Sequence, residues 1–573
     1  MKDARPNGAT LVFALAMTFF GVFFIFPVLR TVGEAFFVDG RFSLRYVMDI
    51  LQDATYLEGL GNALQLGFWS TVVAVLIALP LAILADRFEF PAKRLLTTLL
   101  LVPLVLPPFV GAIGIKQILG QSGALNAFLA IFGLVDMNHP VDWLGQGRFV
   151  GMVLMTALHL YPIIYLNVSA ALANLDPALE EAAENLGCPP GKGFFLVTLP
   201  MALPGLFAGC TVAFIWGFTE LGVPLVFDFT RITSVQIFDG IKDLGKSPFP
   251  YALVAVVLTL TATLFFASKR LLGGNDLSSS GRASVGRHTP RPLHGAALRG
   301  CLAFFILINL LALLPHAGIT LVAFSGDWYL SVMPNSLTLQ HFQEALGHPI
   351  TLPSIANSLR YAGAAMILNL VLGISIAYIV VRTKIPGREW LDVCSMLPLA
   401  VPGLVLAFGY LAMTREGEIF RWLVDLPPFI PRESPIVLLV IAYAVRRIPY
   451  IVRSAAAGFQ QTSASLEEAA ANLGAGPITT FLRITGPLIA ANLIAGAILA
   501  FAFSMLEVSD SLILAQEQRF FPITKAIYIL FGSLGNGPFL AAALGVWAMI
   551  FLAVSIVGAG SIMGKKMGAL FRI

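Results

Sequence analysis

The chain has 573 residues, 57% hydrophobic and 12% charged, with a net charge of +4 and a mean hydropathy of +0.84. That composition excludes an ordinary soluble domain, and no basic domain exists to hold nucleic acid. The four cysteines are scattered without a C-x-x-C and the seven histidines form no ligand cluster, so no disulfide framework, metal site or cofactor is indicated.

Windows of roughly 20 apolar residues mark candidate membrane spans. Twelve emerge, near 10–29, 64–85, 95–115, 149–172, 203–225, 251–268, 299–323, 359–381, 391–413, 435–457, 486–508 and 540–562. The first follows Lys2 and Arg5 but is too long for a signal-peptide core and lacks a small-x-small cleavage site, so a retained anchor is expected. Lys and Arg concentrate in 86–94, 269–299, 382–389 and 565–572 and are absent from 324–357. The balance predicts both termini in the cytoplasm, although 30–45 and 415–432 carry three basic residues each.

In chain order, SLRYVMDIL (43–51) aligns with TLQHFQEAL (338–346), and Asn62 and Asn357 follow as expected N-caps of spans 2 and 8. These outer segments suit either a docking protein or a structural cap. AILADRFEFPAKR (82–94) resembles AYIVVRTKIPGRE (377–389), aligning Arg87 with Arg382. VPLVLPPFVGAIG (102–114) resembles LPLAVPGLVLAFG (397–409), and Pro103, Pro107, Pro108, Pro398 and Pro402 predict kinks in spans 3 and 9.

DPALEEAAENLG (176–187) recurs as SASLEEAAANLG (463–474). Asp176 as N-cap and Pro177 at the first turn open the first helix. Leu179, Ala182, Ala183 and Leu186 share one face, and Gly187 ends it in a left-handed conformation. The second copy has Ser465 and Glu468 as an expected capping box, Leu466, Ala469, Ala470 and Leu473 as its face, and Gly474 as its end. A helix lying on lipid would favour basic residues and bulky anchors. Glu180, Glu181, Glu467 and Glu468 with small alanines favour a groove on a partner protein.

GIKDLGKS (240–247) matches the P-loop pattern G-x-x-x-x-G-K-[ST]. Pro248 and Pro250 follow where a phosphate-facing helix would start, and the twin LGNGPF (534–539) lacks Lys-Ser. An outer-face loop without nucleotide is expected. GGNDLSSSGRASVGRHTPRP (273–292) reads as a cytoplasmic linker. The chain thus divides into a first half 1–270, a linker 271–297 and a second half 298–573: an all-α polytopic membrane protein of about 12 helices in two homologous six-helix halves.

EEAAENLG followed by Leu199-Pro200, and EEAAANLG followed by Gly486-Pro487 at the same spacing, resemble the EAA loop of ABC importer permeases. The Leu-to-Gly change is a departure in the second copy. The resemblance covers nearly the whole chain, as two permease units of type I fused end to end. It implies that Glu180, Glu181, Ala182, Ala183, Gly187, Glu467, Glu468, Ala469, Ala470 and Gly474 form coupling helices gripped by an ABC ATPase dimer. It also implies a periplasmic solute-binding protein on the other face, a bacterial inner-membrane location among lipid, and ATP hydrolysis by the partner alone. LEVSDSLILA (506–515) and FFPITKAIY (520–528) look most like the ferric-iron group; thiamine, phosphonate or polyamine import by the same mechanism is the alternative. A secondary, ion-coupled transporter is the rival class, since it too uses repeats and midplane charges.

Glu220 and Glu507 are equivalent in the repeat, each roughly 20 residues after its loop proline, or about 30 Å along a helix. A carboxylate at the bilayer centre costs on the order of 3 kcal/mol, so the pair reads either as a pathway mouth meeting a cation or as interfacial acids satisfied by water or backbone donors. Arg446-Arg447 lie deep in span 10, with His159 aligned to Arg446. They fit a cavity lining, a contact with unwound carbonyls or a structural ion pair with an acid.

Overall fold

A computed structural model describes residues 6–38, 41–145, 148–173, 175–243, 247–272, 290–425 and 433–563. Most of the expected linker, Lys246 of the P-loop match and the basic tail at 565–572 lie outside the described residues. The first half runs α1 (Gly8–Phe36), α2 (Ala54–Arg87), α3 (Lys93–Val105), α4 (Pro108–Ile131), α5 (Phe149–Ala173), the motif helix α6 (Pro177–Asn185), α7 (Leu199–Phe218) and α8 (Phe249–Leu272). The second repeats this as α9 (Gly295–Phe324), α10 (Thr351–Arg382), α11 (Arg388–Leu399), α12 (Gly403–Met413), α13 (Ile436–Gln461), the motif helix α14 (Ala464–Asn472), α15 (Gly486–Met505) and α16 (Gly537–Met563).

Among the described residues nine helices are long and apolar enough to cross a membrane, or eleven with each bent pair counted as one span. The twelfth expected window is α13, whose Arg446, Arg447 and Arg453 interrupt its apolar run while most of its residues are buried in protein. The proline-rich windows do more than kink. Pro107 and Pro402 adopt extended backbone between two helices, and the pairs α3–α4 and α11–α12 bend by 100° and 103°. A proline without an N–H ends one helix and opens the next, so each break sits where the sequence placed it.

Asn62 and Asn357 are not caps. The helices start earlier, α2 behind Asp53, whose carboxylate accepts from the Thr55 N–H at 2.7 Å, and α10 at Thr351. Both asparagines instead pin loops from within their helices: Asn62 donates to the Arg231 carbonyl at 2.6 Å and Asn357 to the Arg519 carbonyl at 2.9 Å. The short helices Arg45–Gln52 and Gln340–Gly347 do form. The 34 residues of α2, about 50 Å of helix, separate the first of them from the motif helices.

The first helix of each half packs on the other half. α1 crosses α12, where Tyr410 donates its hydroxyl to the Phe23 carbonyl at 2.7 Å and Thr31 donates to the Val405 carbonyl at 3.5 Å. Arg30 pairs with Glu34 at 2.9 Å and with Glu418, and Arg415 reaches Glu34 at 3.3 Å. α9 crosses α4 without an ion pair between them among the described residues. There the backbones meet at Gly114 and Gly318, and a Cβ on Gly114 would fall 2.7 Å from the Gly318 carbonyl carbon. Gly114→Val therefore overfills this crossing and is expected to destabilise the protein by about 1–3 kcal/mol; a thermal melt in detergent would register it as a clear drop in midpoint.

The described C-terminal part of the expected linker packs on the first half. Arg291–Pro292 pairs in parallel with Phe88–Glu89, just after α2, and Arg291 lies 3.3 Å from Glu184 on the first motif helix. In the P-loop match, a helix (Thr233–Asp239) and a single 3-10 turn (Gly240–Asp243) stand where a P-loop needs a buried strand.

Candidate transport site and motif helices

The two motif helices are built alike. In α6, Asp176 accepts from the Ala178 N–H at 3.0 Å with Pro177 in the first turn. In α14 the cap is Ser463, whose hydroxyl accepts from the Ser465 N–H at 3.3 Å. The expected Ser465–Glu468 box is thereby corrected: Ser463 holds the extended backbone of an N-cap, which puts Ser465 inside the first turn. Gly187 and Gly474 close the helices at φ 80° and 85°, where a side chain would be strained.

Each helix is fixed to its half by a matching lock. Glu180 binds Arg87, from the end of α2, and the Thr198 hydroxyl. Glu467 meets Arg382, from the end of α10, at 3.2 Å and accepts from the Thr485 hydroxyl at 3.3 Å. Thr198 and Thr485 each end a wide π-type turn leading into α7 and α15. The lock thus joins three elements: the motif helix, the end of the long helix before it and the turn that opens the next span. The sequence offered its signal in the alignment of Arg87 with Arg382, but their acidic partners were not assigned. Glu181, Ala182, Glu468 and Ala469 are exposed, whereas Ala183 is half-buried and Ala470 buried. Leu186 and Leu473 are 88% and 89% exposed, a large apolar surface for a side chain that the periodicity assigned to the helix face.

Between the halves lies a cavity of about 110 Å³ lined by His159, Glu220, Arg446, Arg447 and Glu507. α7 and α15 end at Phe218 and Met505, and the two glutamates follow at the turns. Arg446 reaches Glu507 at 2.6 Å and Asp510 at 3.5 Å. Arg447 binds the other Glu507 oxygen and donates to the Phe503 carbonyl at 3.1 Å. Glu507 and Asp510 are buried. Gly403 makes room for this cluster, since a Cβ there would lie 2.8 Å from the Arg446 guanidinium carbon.

The first half is built differently at the same places. His159 donates Nδ1–H to the Pro103 carbonyl at 3.0 Å. Glu220 accepts from the backbone N–H of Gly222 at 3.0 Å and of Val223 at 3.2 Å. Asp510 and the Glu507–arginine pairing escaped sequence reading because nothing local links α13 to the turn after α15. Among the described residues no group of three or more His, Cys, Asp or Glu comes together.

Comparison with known proteins follows the same lines. A protein of Haemophilus influenzae named as a ferric transport system permease is 27% identical over 540 residues, covering 92% of this chain and 80% of its own. The ferric transport system permease protein of Actinobacillus pleuropneumoniae is 26% identical, over 88% of this chain and 70% of its own. A molybdenum transport system permease protein of Haemophilus influenzae is 29% identical, but 94% of it matches only 37% of this chain, which fits one half. The family described as the inner membrane component of binding-protein-dependent transport systems matches residues 78–273 and again 369–559. With that match in both halves, covering most of the spans and each motif helix with its lock, the chain belongs to this family as a duplicated, fused permease.

Proposed function

We propose that the chain is the translocating subunit of an ATP-driven importer whose cargo is ferric iron. The observation that carries the reading is the duplicated motif helix, capped, locked to its half and presenting an uncovered leucine. Two such helices fit grooves on a pair of ATPase subunits, which supply the hydrolysis that this chain leaves to them. Support for iron comes from the ferric permeases that match across both halves; the molybdenum relative matches half the length.

In this reading the motif helices face the cytoplasm with both termini, and a periplasmic solute-binding protein docks at the opposite end near Arg45–Gln52 and Gln340–Gly347. Closure of the ATPases pushes on α6 and α14. The Arg87–Glu180–Thr198 and Arg382–Glu467–Thr485 locks carry that push into α2, α7, α10 and α15. The halves then part around the cavity that holds His159, Glu220, Arg446 and Glu507, the proposed pathway.

The test is reconstitution of the chain with its ATPase and binding protein in proteoliposomes. Uptake of radioactive Fe(III) is expected only when ATP and both partners are present. Uptake driven by an ion gradient without ATP would instead identify a secondary carrier.

A further inference from the structure

The repeat makes Glu220 and Glu507 twins, yet the structure surrounds them with opposite chemistry. Glu507 is 5% exposed and held by both arginines of α13. At the arginine positions the first half carries His159 and Leu160, and at the position of Asp510 it carries Val223. Gly403, which admits Arg446, is matched by Pro108. The substitution of the cluster is therefore concerted: the cation, the space for it and the second acid all belong to one half.

On the second-half side the two arginines are offset by Glu507 and Asp510. On the first-half side, His159 is turned to the Pro103 carbonyl, and Glu220 is the one acid lining the cavity without an ion-pair partner among the described residues. Two backbone N–H groups steady one of its oxygens, and its side chain is only half-buried. An unpaired carboxylate between membrane helices is costly, and a passing cation relieves that cost.

We infer that the twins have divided their work: Glu220 is the specificity carboxylate that a transiting hard cation meets, and Glu507 is a positioning residue locked by Arg446 and Arg447. The inference rests on the iron reading above. Hard cations take oxygen ligands and hold tightly only when several carboxylates converge. Here one carboxylate faces the cavity unpaired, and no larger ligand group stands among the described residues. The cation gains enough to enter and too little to stay, which a pathway requires. The acids opposite are already taken up by Arg446 and Arg447, so the first-half wall is where a cation meets a free carboxylate. The ordered Arg446–Glu507 pair also keeps those positive charges from swinging onto Glu220 and closing the site.

The experiment compares wild-type complex with Glu220→Gln and Glu220→Asp in the proteoliposomes described above, reading Fe(III) taken up per ATP hydrolysed. Glu220→Gln is expected to lower that ratio about tenfold, and Glu220→Asp to recover most of it. A Glu220→Gln ratio equal to wild type overturns the inference while leaving the iron reading intact. So does a Glu220→Asp complex as defective as the glutamine one, which marks a purely structural glutamate. Wild-type complex that hydrolyses ATP in response to its binding protein without accumulating iron overturns the iron reading and the inference with it.

Discussion

Glu507→Ala is expected to be the most damaging single change in the membrane core, at about 3–5 kcal/mol. The loss is not the value of one ion pair. It strands Arg446 and Arg447, both closely packed between helices, with Asp510 at 3.5 Å as the remaining acid. Desolvated guanidinium groups without a counter-charge drive the unfavourable term, so the arginine side chains should decide the outcome. Replacing Glu507, Asp510, Arg446 and Arg447 together by leucine removes the charges in balance and should recover much of the melting midpoint lost by the alanine variant. Thermal unfolding of the four-residue variant against Glu507→Ala measures this directly. A quadruple variant no more stable than the single one would show that packing, not stranded charge, sets the effect.

The second large effect is expected at the motif helices. Leu186 and Leu473 are 88% and 89% exposed, and under the proposed function they are the apolar anchors of the ATPase contact. Fully burying a leucine side chain is worth about 1.5–3 kcal/mol. Leu186→Asp with Leu473→Asp should abolish stimulation of ATP hydrolysis by the binding protein and release the ATPase on size-exclusion chromatography. The chain's own melting midpoint should hardly move, because neither leucine packs within it. Each single change should weaken binding and leave residual stimulation if, as proposed, both helices engage the ATPases. A large fall in the midpoint would instead place the leucines in the chain's own packing.

The duplicated design was legible because two copies of one pattern cross-check each other. EEAAENLG against EEAAANLG, the prolines around 107 and 402, and the left-handed Gly187 and Gly474 are all local features, and local chemistry decides them. The capping of α14 was misread because Ser463 and Ser465 offer nearly the same signal two residues apart, and backbone conformation chose between them. Asn62 and Asn357 were misread for a related reason. Each is a good cap by type, but α2 and α10 gain an extra turn or more of apolar packing by starting earlier, which frees the amide to bind a distant carbonyl. Arg447 and Glu507 are 60 residues apart, and pairing at that separation depends on how α13 and α15 pack. No periodicity encodes it. The asymmetry between the halves was visible as single letters, His159 for Arg446 and Val223 for Asp510, but acquired meaning only once the letters stood around one cavity.

The exchange of first helices bears on how the molecule is made. Thr31 finds its partner Val405 374 residues later in the chain, so α1 enters the bilayer long before the surface it will rest on has been synthesised. Until then its polar C-terminal end, with Arg30 and Glu34, lacks Arg415 and Glu418. Carrying both halves on one polypeptide keeps that waiting helix at a high local concentration relative to its eventual seat. As separate chains, the halves would have to find each other by diffusion before either could be completed. Fusion thus turns an assembly problem between molecules into the final step of folding one.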